Sequence, residues 1–90
     1  MAHMLVRFKV DSYNKWRPLF DQGDADRKAA GAIGAPQVFR SGDDPWEVLV
    51  LMEWEELEKA RKYAASEETK QVYENSGVND TPTVFFLQAV

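Results

Sequence analysis

Trp16, Phe20, Trp54, Tyr63 and Tyr73 are the side chains in this sequence best suited to hold a ligand. Trp16 and Phe20 stand four residues apart, so on a helix they project from one face. Flat rings grouped in this way can line a pocket for a planar apolar molecule, and each tyrosine adds a hydroxyl that needs a partner when buried. The same rings can instead simply fill a core and a subunit interface. An open cavity among them would favour ligand binding, and a sealed, ring-filled interior would favour packing alone. Arg7, Lys9 and Arg40 are charges within predicted strands. They either pair with Glu47 or Glu53 on neighbouring strands or anchor a carboxylate or oxyanion.

Most other chemistry is excluded by composition. The 90 residues contain no cysteine and one histidine, His3. That rules out disulfides, thiolate metal sites, thiol nucleophiles and a Ser-His-Asp arrangement in the body of the chain. Gly31-Ala32-Ile33-Gly34 follows a predicted helix instead of opening one, so it lacks the context of a phosphate-binding loop. Asp43-Asp44 and Glu55-Glu56 fall in a turn and at a helix start, where solvated carboxylates are favoured. The expectation is no metal and no organic cofactor. A net charge of −4 provides no basic surface for nucleic acid. No apolar run approaches the roughly 20 residues of a membrane span. The absence of cysteine fits a reducing, cytoplasmic setting.

The elements that must position these residues follow from periodicity. Alternation over Met4 to Val10 predicts a first strand. A helix then carries Tyr13, Trp16, Leu19 and Phe20 on one stripe. Pro18, tolerated only in a first turn, places its N-cap near Asn14, and Gly31 ends it. Gly23 should weaken or bend this helix. Gln37 to Arg40 and Trp46 to Trp54 form a hairpin across the turn Ser41-Gly42-Asp43-Asp44-Pro45. Glu55 to Ala65 is helical, Ser66 caps a further helix that closes at Gly77, and Thr83 to Val90 is the last strand. Residues 1–3 read as an appended leader and 4–90 as one domain. Strand, helix, strand, strand, helix, strand is the ferredoxin-like βαββαβ order, an α+β fold with a four-stranded antiparallel sheet and its first and third strands central.

The third strand adds an expectation about assembly. In Val48-Leu49-Val50-Leu51-Met52 the valines and Met52 face one side and the leucines the other, so both faces are apolar. A chain this short buries only about 60–65% of its unfolded surface and has helix enough for one side. The uncovered face predicts a homodimer.

The ordered set Val10-Asp11, Trp16, Phe20-Asp21, Gly31, Phe39-Arg40, Asp44-Pro45, Glu53-Trp54, Leu57, Ala60-Arg61, Ser66 and Gly77-Val78 resembles the small-protein branch of the dimeric α/β-barrel superfamily. Its relatives are antibiotic-biosynthesis-monooxygenase-like or cyclase-like proteins. The resemblance implies two sheets packed face to face across a two-fold axis. It also implies either a cofactor-independent monooxygenase or cyclase acting on a small aromatic or polyketide-like compound, or a non-catalytic dimer that binds an apolar ligand or another protein. In cofactor-free oxygenation the deprotonated substrate supplies the electrons, and the protein holds it and stabilises its anion. By this resemblance Asn14, Trp16, Tyr63, Tyr73 and Arg40 would make those hydrogen bonds. Position 23 would carry a larger, often histidine-like residue, so Gly23 removes a candidate acid/base.

Overall fold

In the computed structural model, which describes residues Met1–Val90, strict alternation governs the two central strands. Strand β1 (Ala2–Lys9) turns Met4, Val6 and Phe8 inward, and β3 (Glu47–Trp54) turns Val48, Val50, Met52 and Trp54 inward. The two strands run antiparallel, with Met4 opposite Met52 and Val6 opposite Val50. The inward rows therefore merge into one apolar face. Trp54 fits at its end because both of its cross-strand neighbours, Ala2 and Ala32, are small.

Two helix pairs cover this face. Helix α1 (Tyr13–Gln22) is followed by α2 (Asp24–Ala30), and α3 (Leu57–Ala64) by α4 (Glu67–Asn75). The outer strands are β2 (Ala32–Arg40) and β4 (Thr83–Gln88), giving the order β2-β3-β1-β4, all antiparallel. This is the predicted ferredoxin-like arrangement with the first and third strands central.

Several boundaries differ from the sequence expectations, each for a local reason. The N-cap of α1 is Ser12, whose extended backbone lets its hydroxyl accept from the Lys15 amide at 3.3 Å. Pro18 consequently lies inside the helix, on its exposed side, where the carbonyl left without an amide partner can reach water. Gly23 does more than bend the helix: it ends α1 and begins α2. Gly31, with φ of 120°, closes α2 in a conformation a side chain would strain, and its carbonyl accepts from the Glu55 amide at 2.9 Å. β1 starts at Ala2, and β2 starts at Ala32 because a register shift between Ile33 and Gln37 absorbs Gly34 and Pro36.

Two of the three strand charges, Arg7 and Lys9, pair locally. Arg7 meets Glu47 at 2.6 Å and Lys9 meets Asp44 at 3.1 Å. The Trp46 amide donates to Asp44 at 3.0 Å, and this bond, with Lys9, holds the Asp44 carboxyl below the usual carboxylate range. Outside the sheet face covered by helices lie Leu5, Leu49 and Leu51, half-buried, with Phe39, Phe85, Leu87 and Ile33 exposed around them. No helix is long and apolar enough to cross a membrane.

Candidate functional site

The inner face of the sheet and the helices do not close completely on each other. Between them runs an apolar cleft with about 40 Å³ of space for the centres of water-sized molecules. Its floor is Met4, Val6 and Phe8 of β1, Val50 and Met52 of β3, and Val84 of β4. One wall is Trp16 and Phe20, stacked with ring centres 4.9 Å apart. The four-residue spacing produces that stack, and Phe8 locks it from below at 5.3 Å from Trp16. The opposite wall is Tyr63, Thr69, Val72 and Tyr73.

Tyr63 and Thr69 are set in place by the cap of α4. Ser66 Oγ accepts from the Thr69 amide at 3.2 Å and donates to the Tyr63 carbonyl at 2.7 Å. Thr69 Oγ1 donates to the same carbonyl at 2.7 Å. These bonds tie the end of α3 to the start of α4. Tyr73 packs its ring on Phe8 at 5.6 Å, and burial, with Tyr63 nearby, pushes its hydroxyl pKa up to about 12. Tyr73 is thus a neutral hydrogen-bond donor at physiological pH and no base.

Of the residues singled out from sequence, four line this cleft: Trp16, Phe20, Tyr63 and Tyr73. Trp54 does not. It is fully buried behind Tyr63, with ring centres 5.3 Å apart, and its indole Nε1 has no hydrogen-bond partner. Asn14 lies on the exposed side of α1, since two residues along a helix rotate it about 200° from Trp16. Arg40 is exposed at the end of β2, its guanidinium 4.7 Å from the Tyr13 ring centre.

Arg27 also lines the cleft, and sequence reasoning missed it. It is the one buried residue of α2, 4% exposed, with its guanidinium 3.9 Å from the centre of the Phe20 ring. Its spacing from Trp16 and Phe20, eleven and seven residues, is the available signal, because both keep one helix face. Nowhere do three or more His, Cys, Asp or Glu side chains converge as a metal site requires. A larger trough between α2, α3 and α4 is lined by Asp26, Lys59, Lys62, Glu67 and Glu68. Its alternating charges make it a solvated surface, and Tyr63 separates it from the apolar cleft.

No protein-family model matches the chain, and no curated protein matches its sequence. Solved structures do match its fold. A Bordetella bronchiseptica protein assigned to the antibiotic biosynthesis monooxygenases superposes with a TM-score of 0.81 at 16% identity, covering 99% of this chain and 96% of that one. SnoaB, a cofactor-independent oxygenase from Streptomyces nogalater, gives 0.73 at 14% identity over 98% of this chain and 91% of its own. The ActVA-Orf6 monooxygenase of Streptomyces coelicolor, solved with the ligand Nanaomycin D, gives 0.69 at 16% identity over 99% and 87%. Over essentially its whole length, this chain therefore adopts the fold of the antibiotic biosynthesis monooxygenases.

Proposed function

We propose that this protein is a homodimer, paired through the uncovered sheet face, that binds a small planar aromatic or polyketide-like compound in the helix-side cleft and oxygenates or cyclises it without a cofactor. The observation that carries this reading is the cleft itself: stacked rings on one wall and tyrosine hydroxyls on the other, in a fold whose solved examples include a cofactor-independent oxygenase and a monooxygenase with a bound ligand. The exposed Phe39, Phe85 and Leu87 beside Leu49 and Leu51 support the pairing, because an apolar surface of this kind seeks cover.

The residues present assign themselves simple tasks. Trp16 and Phe20 hold a flat ring by stacking, and the apolar floor excludes water from it. Tyr73, kept protonated by burial, donates to an oxygen that gains negative charge. For an anthrone, water or buffer takes a ring-flanked C–H proton, since no lining side chain is a base, and leaves an enolate. The enolate delivers its electrons to O2, a C–O bond forms, the peroxide anion takes up a proton from water and then loses water to leave a quinone, so one O2 becomes one carbonyl oxygen and one water. A two- or three-ring substrate needs more room than the cleft has, and α4 is the wall with little burial to lose in making it. Its one buried residue is Thr69, and Val72 is already 37% exposed.

A non-catalytic binding role is favoured by one observation, the lack of any His, Asp or Glu among the lining residues to act as a base near neutral pH. Oxygen uptake with an anthrone separates the two. Protein-dependent consumption that vanishes in Trp16→Ala supports the oxygenase. Binding of the anthrone without turnover leaves the binding module. No binding at all removes both, and sedimentation equilibrium showing a stable 10.3 kDa monomer removes the pairing.

A further inference from the structure

We infer that Arg27 makes the cleft selective for anions, so that its ligand is a planar aromatic bearing a carboxylate, phenolate or enolate oxygen that meets the guanidinium beside Phe20. The inference rests on the proposed ligand-binding role of the cleft and adds the charge of the ligand to it. Helix α2 turns a single residue inward, and that residue is an arginine where an apolar side chain would satisfy packing more simply. Its guanidinium lies against the Phe20 ring at 3.9 Å, which supports one face of a cation. None of the ion pairs or side-chain hydrogen bonds of the chain involves Arg27: the nearby Asp21 and Asp24 are taken by Arg17 and Lys28. With no partner in the chain, the N–H donors of this guanidinium are left to water at the cleft, and an anion there would replace that water with a charged partner. The planar fork of N–H donors matches a carboxylate or an aromatic oxyanion.

Gly23 leaves room for this placement. Its φ of −84° is open to any residue, so backbone freedom does not explain the glycine. Space does. A Cβ at position 23 would sit 2.8 Å from Arg27 Nη1, closer than such atoms approach, so the guanidinium occupies the room a side chain would take.

Isothermal titration calorimetry with 2-naphthoate and its neutral analogue 2-naphthamide tests this. The wild-type protein should bind the carboxylate about tenfold or more tightly than the amide, the size expected of a charge-assisted contact. Arg27→Met, which keeps the apolar stem over Phe20, should bind both equally and hold the amide as before. Arg27→Lys should retain part of the preference. Gly23→Ala, which displaces the guanidinium without removing it, should weaken the preference and covers the case in which Arg27→Met fails to fold. Equal binding of the two probes by the wild type overturns the anion site and leaves the pocket standing. A preference that survives in Arg27→Met does the same. Binding of neither probe overturns the pocket reading, and this proposal with it.

Discussion

The two faces of the sheet are built by the same strands and both are apolar at their centre, yet they end in opposite conditions. On the helix side Val48, Val50 and Met52 are 0, 1 and 6% exposed. On the other side Leu49 and Leu51 are half-buried, and Phe39 and Phe85 are 51 and 47% exposed. Arg7, Lys9, Glu47 and Glu53 surround the leucines of the second face, but at the centre of the sheet the difference between the faces is cover. Two helix pairs can span one face of a four-stranded sheet, and this chain has no further element for the second. The covered face also closes imperfectly, because its rings stack on one wall and its tyrosines stand on the other. One face thus supplies a cleft, and the opposite face leaves its central leucines and flanking rings without cover.

Adjacent residues on β3 can break this comparison most sharply. Val50→Asp places an unpaired carboxylate in the covered core and should cost more than about 4 kcal/mol, a large share of the stability of a domain this size. Loss of cooperative thermal unfolding would register it. Leu51→Lys, one residue on, faces away from the helices. It should leave the circular dichroism spectrum of the fold intact and shift sedimentation from dimer to monomer. A folded Val50→Asp protein would mean that the helix side is not the core. A Leu51→Lys protein that still dimerises would move the association surface elsewhere.

The sequence carried the alternation that makes these faces, and with it the strand order, because a two-residue period leaves little choice of which side chains share a side. Local competition hid the rest. Ser12 outcompeted Asn14 as a cap since its hydroxyl reaches a free amide, a choice made by backbone angles that residue type alone does not reveal. The proline rule pointed to the wrong start because an exposed helix side lets water satisfy the orphaned carbonyl. In the site, Trp16 and Phe20 were legible from their spacing, and Tyr63 and Tyr73 from their type. Trp54 is a buried ring of the same kind set one layer deeper, a difference that depends on Ala2 and Ala32 being small enough to admit it. Arg27 was missed despite its seven-residue spacing from Phe20, because a lone arginine in an alanine-rich helix ordinarily faces water.

Alkaline titration probes the covered face with a smaller effect. The Tyr73 hydroxyl, raised to about 12 from an ordinary value of 10.0, favours the folded protein while it stays protonated. Above pH 10 the unfolded chain loses this proton first, so the unfolded state gains and stability falls. The contribution present below pH 10 should be lost by about pH 12, a decline of roughly 2–3 kcal/mol. Tyr73→Phe should flatten that part of the stability profile measured by urea unfolding across pH 9 to 12. An unchanged slope would place the hydroxyl in water instead of against Phe8.

The two serine caps sharpen the comparison within the covered face, between the ring wall and the tyrosine wall. The Ser12 side chain makes one capping bond, at 3.3 Å, and the other tie of Ser12 to the site is the backbone bond from the Trp16 amide to its carbonyl, which alanine keeps. Ser66 accepts from the Thr69 amide, donates to the Tyr63 carbonyl and contacts Thr69 Oγ1 at 2.9 Å, joining two helices that both line the cleft. Ser12→Ala should therefore cost about 0.5–1 kcal/mol, and Ser66→Ala about 1–2 kcal/mol. Urea unfolding at fixed protein concentration measures both, the fixed concentration keeping any association constant between variants. The ligand response should divide the same way. Ser12→Ala should preserve the affinity for 2-naphthamide, since the Trp16–Phe20 stack is held by Phe8 as well as by the helix start. Ser66→Ala should weaken it, because the α3–α4 corner over the cleft loses every bond of the Ser66 hydroxyl and keeps only the one from Thr69 Oγ1 to the Tyr63 carbonyl. Equal losses of stability and affinity in the two variants would mean that the tyrosine wall is anchored by its rings and not by its cap.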